Sequence, residues 1–424
     1  MQGKLNGITL FFQKKYTVEI CIFISAFIVF FSFSNHPDFV FYNNFSYLAD
    51  SMLSGRLDVS LPSYLESTEF GGRQFVHFGP GPALLHLPFI IIWGIDGFNT
   101  LYLGLLLGAS NAVLFYLILK NLKIGDIKER LWFTSFLMFG TVNFHLTSLV
   151  TSWSLGHISM LFFVFFAIYF LTVPSAKNQF LNLFLSGLFF GLAVTCRMSA
   201  LLGVIFYLGY IFIRKKERLW QSISCFVAGM SIFGALYMLY NCARYGTITD
   251  QSYTLVFFKD SLRHLYDELQ AQPPESHLDY LKELISLHGK GFHIKHIPES
   301  LKYLFLVPPK VQSDFPFLVF EIWGTALTFV SPALYFAASA WWKKSAEQKI
   351  VAWLLLASAT AIAVPFMLFW ANGAAQFGMR YSMDFMPYLI LLSCMGLLPL
   401  RLYKKGVIVI SVAVCTIWGV VLWN

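Results

Sequence analysis

The chain has 424 residues, 57% of them hydrophobic and only 12% charged, with a formal net charge of +8. Soluble domains carry about 25% charged residues, so this composition, with a mean hydropathy of +0.64, excludes an ordinary soluble globule. The apolar runs are continuous rather than alternating, which excludes a β-barrel, and lysine and arginine between such runs mark cytoplasmic loops rather than a nucleic-acid surface.

The expected fold class is an all-α polytopic membrane protein, one transmembrane domain over residues 1–424. The first apolar run, Val18 to Phe33, follows Lys4, Lys14 and Lys15 and has no small-residue cleavage site after it, so it reads as a retained span over 17–34. With the N-terminus in the cytoplasm, 35–97 becomes the first extracytoplasmic loop. In it Phe41, Phe45, Leu48, Met52 and Leu53 recur at helical spacing, which predicts an amphipathic helix on the membrane surface, ended by Gly55. The apolar piece from Ala83 to Ile95 carries Pro88 and falls short of the about 20 residues a span requires, so it reads as a second juxtamembrane helix.

Spans then follow at 98–119, 131–148, 153–172, 180–195, 199–213, 221–240, 322–341, 350–371, 383–400 and 406–423, giving about eleven in all. The basic stretches 120–130, 214–218, 343–349 and 401–405 fall on the cytoplasmic side, while 241–320 is an extracytoplasmic loop or cap with helical patterning over 259–303. The six cysteines lie in or beside apolar runs without ligand-like spacing and read as buried thiols.

Candidate chemistry gathers on the extracytoplasmic side. Asp38 and Asp50 are acids at the lipid–water boundary, placed to act as a general base on an acceptor hydroxyl; the plain alternatives are a helix cap for Asp38 and a solvated face for Asp50. The Gly/Pro-rich stretch 71–82 carries Arg73 and His77, and either approaches a ligand closely or merely makes a tight connection. Arg380 and Asp384 lie before a late span. Arginine suits a phosphate through its planar fork, and the alternative is a pair one helical turn apart that stabilises a helix start. Arg197 and Arg244, at span ends, read as snorkelling anchors, and His145 and His157 as hydrogen-bonding residues rather than metal ligands.

NNFSYLADSMLSGRLDV followed by HFGPGPALLHLPF, with YNCARYGTITDQSY and QFGMRYSMDFMPYLILL, resembles segments of GT-C class membrane glycosyltransferases, the class of aminoarabinose transferases and protein mannosyltransferases. The resemblance implies inverting transfer of a sugar from a polyprenyl-phosphate donor to a glycan, lipid or protein acceptor on the extracytoplasmic side of the plasma membrane. It places the catalytic base on Asp38, with Asp50 second, and the carrier phosphate on Arg380. The Asp-Glu pair common in that class is replaced here by Phe41 and Tyr42. The partners implied are the lipid donor, its acceptor and membrane lipids, with no nucleic acid; no cofactor is fixed and a divalent cation is left open. The rival expectation is a transporter or flippase of a lipid-linked glycan, against which most spans lack the central charges such proteins use.

Overall fold

The computed structural model describes residues 16–34, 43–60, 67–174, 177–214, 216–252, 292–320, 323–369, 373 and 376–422. Asp38 and most of the 259–303 segment lie outside these residues.

The chain enters through α1 (Thr17–Phe33), whose Phe30 is buried against Phe139 and Phe144. The expected amphipathic helix is α2 (Asn44–Leu53): the Asn43 side chain accepts from the Ser46 N–H, and Phe45, Leu48 and Ala49 are buried on one face. It ends past Ser54 at Gly55, which takes the left-handed φ of 71° that glycine adopts without a Cβ clash.

Strands β1 (Ser67–Phe70) and β2 (Arg73–Val76) form an antiparallel hairpin absent from the sequence expectation. Gly71 and Gly72 both have positive φ, which is the two-residue turn that matches strand twist. Next comes α3 (Gly81–Gly97), packed on α2 and kinked at Gly94.

The bundle consists of α4 (Thr100–Asn121), α5 (Ile127–Phe139), α6 (Val142–Leu149), α7 (Ser152–Thr172), α8 (Gln179–Cys196), α9 (Val204–Arg214) and α10 (Leu219–Tyr245). A short helix α11 (Ile297–Phe305), a small hairpin of β3 (Lys310–Val311) and β4 (Leu318–Val319), and α12 (Leu327–Val330) lead to α13 (Ala346–Leu368), α14 (Ser382–Leu397) and α15 (Leu402–Thr416). Among the described residues six helices are long and apolar enough to cross a membrane: α4, α7, α8, α10, α13 and α15 with its continuation to Val421. Four other apolar helices are shorter, among them α1, α3 and α14. The protein is a multi-pass membrane protein.

Two expected spans are interrupted. The 131–148 run breaks after Phe139, because Gly140 closes α5 and the Thr141 hydroxyl caps α6 by accepting from the Asn143 N–H at 3.2 Å. The 322–341 run includes α12 and a 3-10 turn, Pro332–Ser339. Its break is at Ser331, which the following proline drives out of helical backbone to φ −139° and ψ 65°.

Helices α8 and α10 pack along a close seam. Gly187 and Gly191, four apart on α8, and Gly229 on α10 bring the backbones so close that an added methyl at Gly187 would overlap the Phe226 carbonyl. In lipid there is no hydrophobic drive between helices, so close backbone packing of small residues takes its place.

Candidate functional site

Three helix ends meet on one side of the bundle. Thr151 caps α7 by accepting from the Ser154 N–H at 3.2 Å, and His157 follows in the next turn. Helix α8 ends at Cys196, and Arg197 turns to extended backbone, which swings its side chain off the helix line. Asp384 lies in the first turn of α14, where a negative charge meets the positive end of the helix dipole.

These residues converge on one carboxylate. Asp384 is fully buried; its Oδ1 lies 2.6 Å from His157 Nδ1, and its Oδ2 accepts from Arg197 Nε at 3.1 Å and from the Ser199 hydroxyl at 2.5 Å. Three partners occupy its oxygens, so little capacity remains to accept a substrate proton. Its geometric effect is to fix Arg197. A buried charge is tolerated only when paired and hydrogen-bonded, and here each charge supplies the other's partner.

A second guanidinium lies beside the first. Arg380 sits 4.8 Å from the Trp153 ring centroid and 5.4 Å from that of Tyr381, and Arg197 lies 5.6 Å from the same Tyr381 ring. Tyr381 is itself stacked on Phe366 at 5.1 Å, which holds the ring in place. The Arg380 backbone is anchored by its N–H donating to Gln376 Oε1 at 2.9 Å. Two cations held against aromatic faces are an arrangement whose chemistry suits an anion.

The cluster borders a cavity of about 440 Å³. Arg197, Ser199 and Tyr381 contribute its polar edge, and Leu201, Leu202, Pro365, Phe366, Phe369 and Phe292 its apolar wall. Phe78 and Gly79 close one side. The Gly/Pro-rich stretch therefore makes a close approach, though to protein: a side chain at Gly79 would collide with the Thr195 carbonyl, and one at Gly81 with Cys196, immediately before Arg197.

Tyr237 and Asp250 also line the cavity. The Tyr237 hydroxyl donates to Asp250 Oδ2 at 2.6 Å, and Oδ1 accepts from the Ser252 N–H at 2.9 Å and lies 3.8 Å from Arg244. Arg244 is buried between the rings of Tyr240 and Tyr245, and it donates to the Val76 carbonyl at 2.9 Å, tying the hairpin to the end of α10.

Of the residues singled out in the sequence, Arg380 and Asp384 come together here. His77 is buried in the turn before α3, its ring against Phe78 at 3.9 Å, and does not line the cavity. Arg73 is exposed at the tip of the hairpin, and Asp50 lies on the half-buried flank of α2; neither lines the cavity. Asp38 falls outside the described residues. Asp384 pairs with Arg197, so Arg197 is an ion-pair partner rather than a snorkelling anchor, and Arg244 is buried as well. His157 and His145 each make a hydrogen bond, His145 Nδ1 lying 2.6 Å from the Gly419 carbonyl oxygen. Tyr237, Asp250 and Ser199 were not singled out. The only signal for Asp250 was its place in the segment YNCARYGTITDQSY.

No protein-family model and no curated protein matches the chain. Solved structures similar in fold include the following two. One is the oligosaccharyltransferase of Archaeoglobus fulgidus, tethered to an acceptor peptide containing the NVT sequon, with a TM-score of 0.50 and 12% identity over 91% of this chain and 50% of that one. The other is ArnT from Cupriavidus metallidurans bound to undecaprenyl phosphate, with a TM-score of 0.50 and 11% identity over 93% of this chain and 62% of that one. The chain thus spans half the length of the first and less than two thirds of the second. The likeness read in the loops holds for the architecture: the fold resembles that of the GT-C class membrane glycosyltransferases.

Proposed function

We propose that the protein transfers a sugar, with inversion, from a polyprenyl-phosphate carrier to a glycan, lipid or protein acceptor on the extracytoplasmic side of the plasma membrane, with its N-terminus in the cytoplasm. The observation that carries this reading is the apolar cavity with Arg197 on its wall and Arg380 stacked on the adjoining Tyr381. A prenyl chain matches the apolar wall, and its phosphate matches two ordered guanidinium groups. The relatives in fold include one holding undecaprenyl phosphate and one holding an acceptor peptide.

In the transfer, the bond between the sugar's anomeric carbon and the phosphate oxygen breaks, and its electron pair leaves on the carrier phosphate. The acceptor oxygen bonds to the anomeric carbon from the opposite face and loses its proton to a base. Arg197 and Arg380 stabilise the charge developing on the phosphate, which fixed donors in a dry site do better than water because they need no reorientation. Asp384 acts through Arg197. Asp38 and Asp50 are our candidates for the base, and Arg73 and His77 for contacts to the substrate.

The test is sugar transfer in membranes supplied with a panel of labelled polyprenyl-phosphate sugars. We expect transfer by the wild type, loss of transfer in either Asp38→Asn or Asp50→Asn with donor binding retained, and loss of donor binding in Arg380→Ala. Donor moved across the bilayer without any transfer would replace the enzyme by a flippase.

A further inference from the structure

At the opposite end of the bundle the same helices enclose a second cavity, of about 1000 Å³. The end of α7 at Leu171 to Pro174, the start of α8 at Gln179, the start of α13 at Ser345 and the end of α14 at Met395 border it. Helix α13 has 23 residues, so its two ends lie roughly 35 Å apart. Its far end, at Phe366, faces the first cavity, and its near end faces this one. The two are separate sites.

The wall of this second cavity is cationic. Lys123, Arg214 and Lys344 line it, and Glu347 is the one acid among its described lining residues. Glu347 is already taken by Arg214, at 2.5 Å. Among the described residues neither Lys123 nor Lys344 has a carboxylate within 4.0 Å. Lys344 is half-buried, and burial pushes its ammonium below the usual lysine range, with the charge of Glu129 acting the other way. A partly desolvated cation beside a roomy cavity is relieved by an anion, because the cost of its burial is recovered only through a counter-charge. Leu122, Ile124, Val173 and Leu398 add apolar surface beside polar Asn121, Gln179 and Gln348, at the level where the helices end.

We propose that this cavity binds a phosphate-bearing amphiphile, its phosphate held by Lys123 and Lys344 and the roots of its chains against the apolar wall. An anionic glycerophospholipid has that chemistry. Lysine suits the role because a compact ammonium binds phosphate as a point charge without demanding one orientation. Neither lysine belongs to the transfer site, so the proposal stands apart from the function proposed above.

The experiment is native mass spectrometry of the detergent-purified full chain, titrated in turn with phosphatidylglycerol, phosphatidylcholine and glycerol 3-phosphate. Thermal unfolding of each variant serves as a check on folding. We expect saturable phosphatidylglycerol binding that weakens at least about tenfold in Lys123→Gln/Lys344→Gln, the scale of losing charge-assisted hydrogen bonds. Lys344→Arg should restore most of it, and Arg56→Gln, at an exposed arginine just after α2 that pairs with Asp58, should bind as the wild type does. Saturable glycerol 3-phosphate binding with the same sensitivity would keep the phosphate site and make its source soluble. Equal phosphatidylglycerol binding by wild type and a folded double variant, or phosphatidylcholine binding as tight as phosphatidylglycerol, would overturn the proposal.

Discussion

Arg197 Nε donates to Asp384 Oδ2 at 3.1 Å, although 187 residues separate the two in the chain. One residue ends α8 and the other opens α14, so the ion pair exists only because those helix ends meet. It also orients the guanidinium against Tyr381, beside Arg380.

Removing one partner of a buried pair leaves the other charge uncompensated, which costs about 3–5 kcal/mol. Asp384→Ala should therefore lower thermal stability in detergent more than Ser199→Ala, which loses one hydrogen bond worth about 1 kcal/mol. Equal shifts in the two variants would mean that Asp384 does not hold Arg197 electrostatically.

Arg380 should bind donor through a guanidinium ordered by two rings. Trp153→Leu removes one of them, and a cation–π contact is worth about 1–2 kcal/mol when desolvated. Steady-state kinetics should show kcat/KM for the lipid donor falling roughly tenfold, since Arg380 both holds the phosphate and meets the charge developing on it. Unchanged kcat and KM would place Arg380 away from the donor phosphate.

The two kinds of glycine in the first loop should respond differently. Gly79→Ala meets the Thr195 backbone, and such overpacking costs about 1–3 kcal/mol. Gly55 has open space but a φ of +71°, so Gly55→Asn should be nearly neutral, since asparagine tolerates left-handed backbone. Unfolding temperatures of the two variants decide this, and a larger loss at Gly55 would refute the packing of the turn against α8.

Tyr237→Phe removes the hydroxyl that holds Asp250 on the cavity wall at 2.6 Å. The loss is about 1–3 kcal/mol of orientation for a hydrogen bond to a charged group, which should slow transfer about tenfold or more if the Asp250 carboxylate faces substrate. Asp250→Asn should slow it further. Unchanged turnover in both would leave Asp250 as a clamp for Arg244 alone.

The helical class, the amphipathic helix at Asn44–Leu53 and the separate short helix at Gly81–Gly97 were legible because each follows from spacing within one short segment. The hairpin was not, since its four-residue strands carry too little pattern to stand out from a Gly-rich loop. The span over 322–341 was over-read because apolar content alone does not reveal that Pro332 forces Ser331 out of the helix.

Composition and periodicity determined that this chain lies in a membrane as a bundle of helices, and that its chemistry-bearing charges sit at span ends, because a bilayer core admits few charges and only internally hydrogen-bonded backbone. Tertiary structure alone decided which of those charges meet. Asp384 could be seen in the sequence as a neighbour of Arg380, one turn away. Its partners His157, Arg197 and Ser199 come from other helix ends, and contacts between distant segments depend on how helices pack rather than on local pattern.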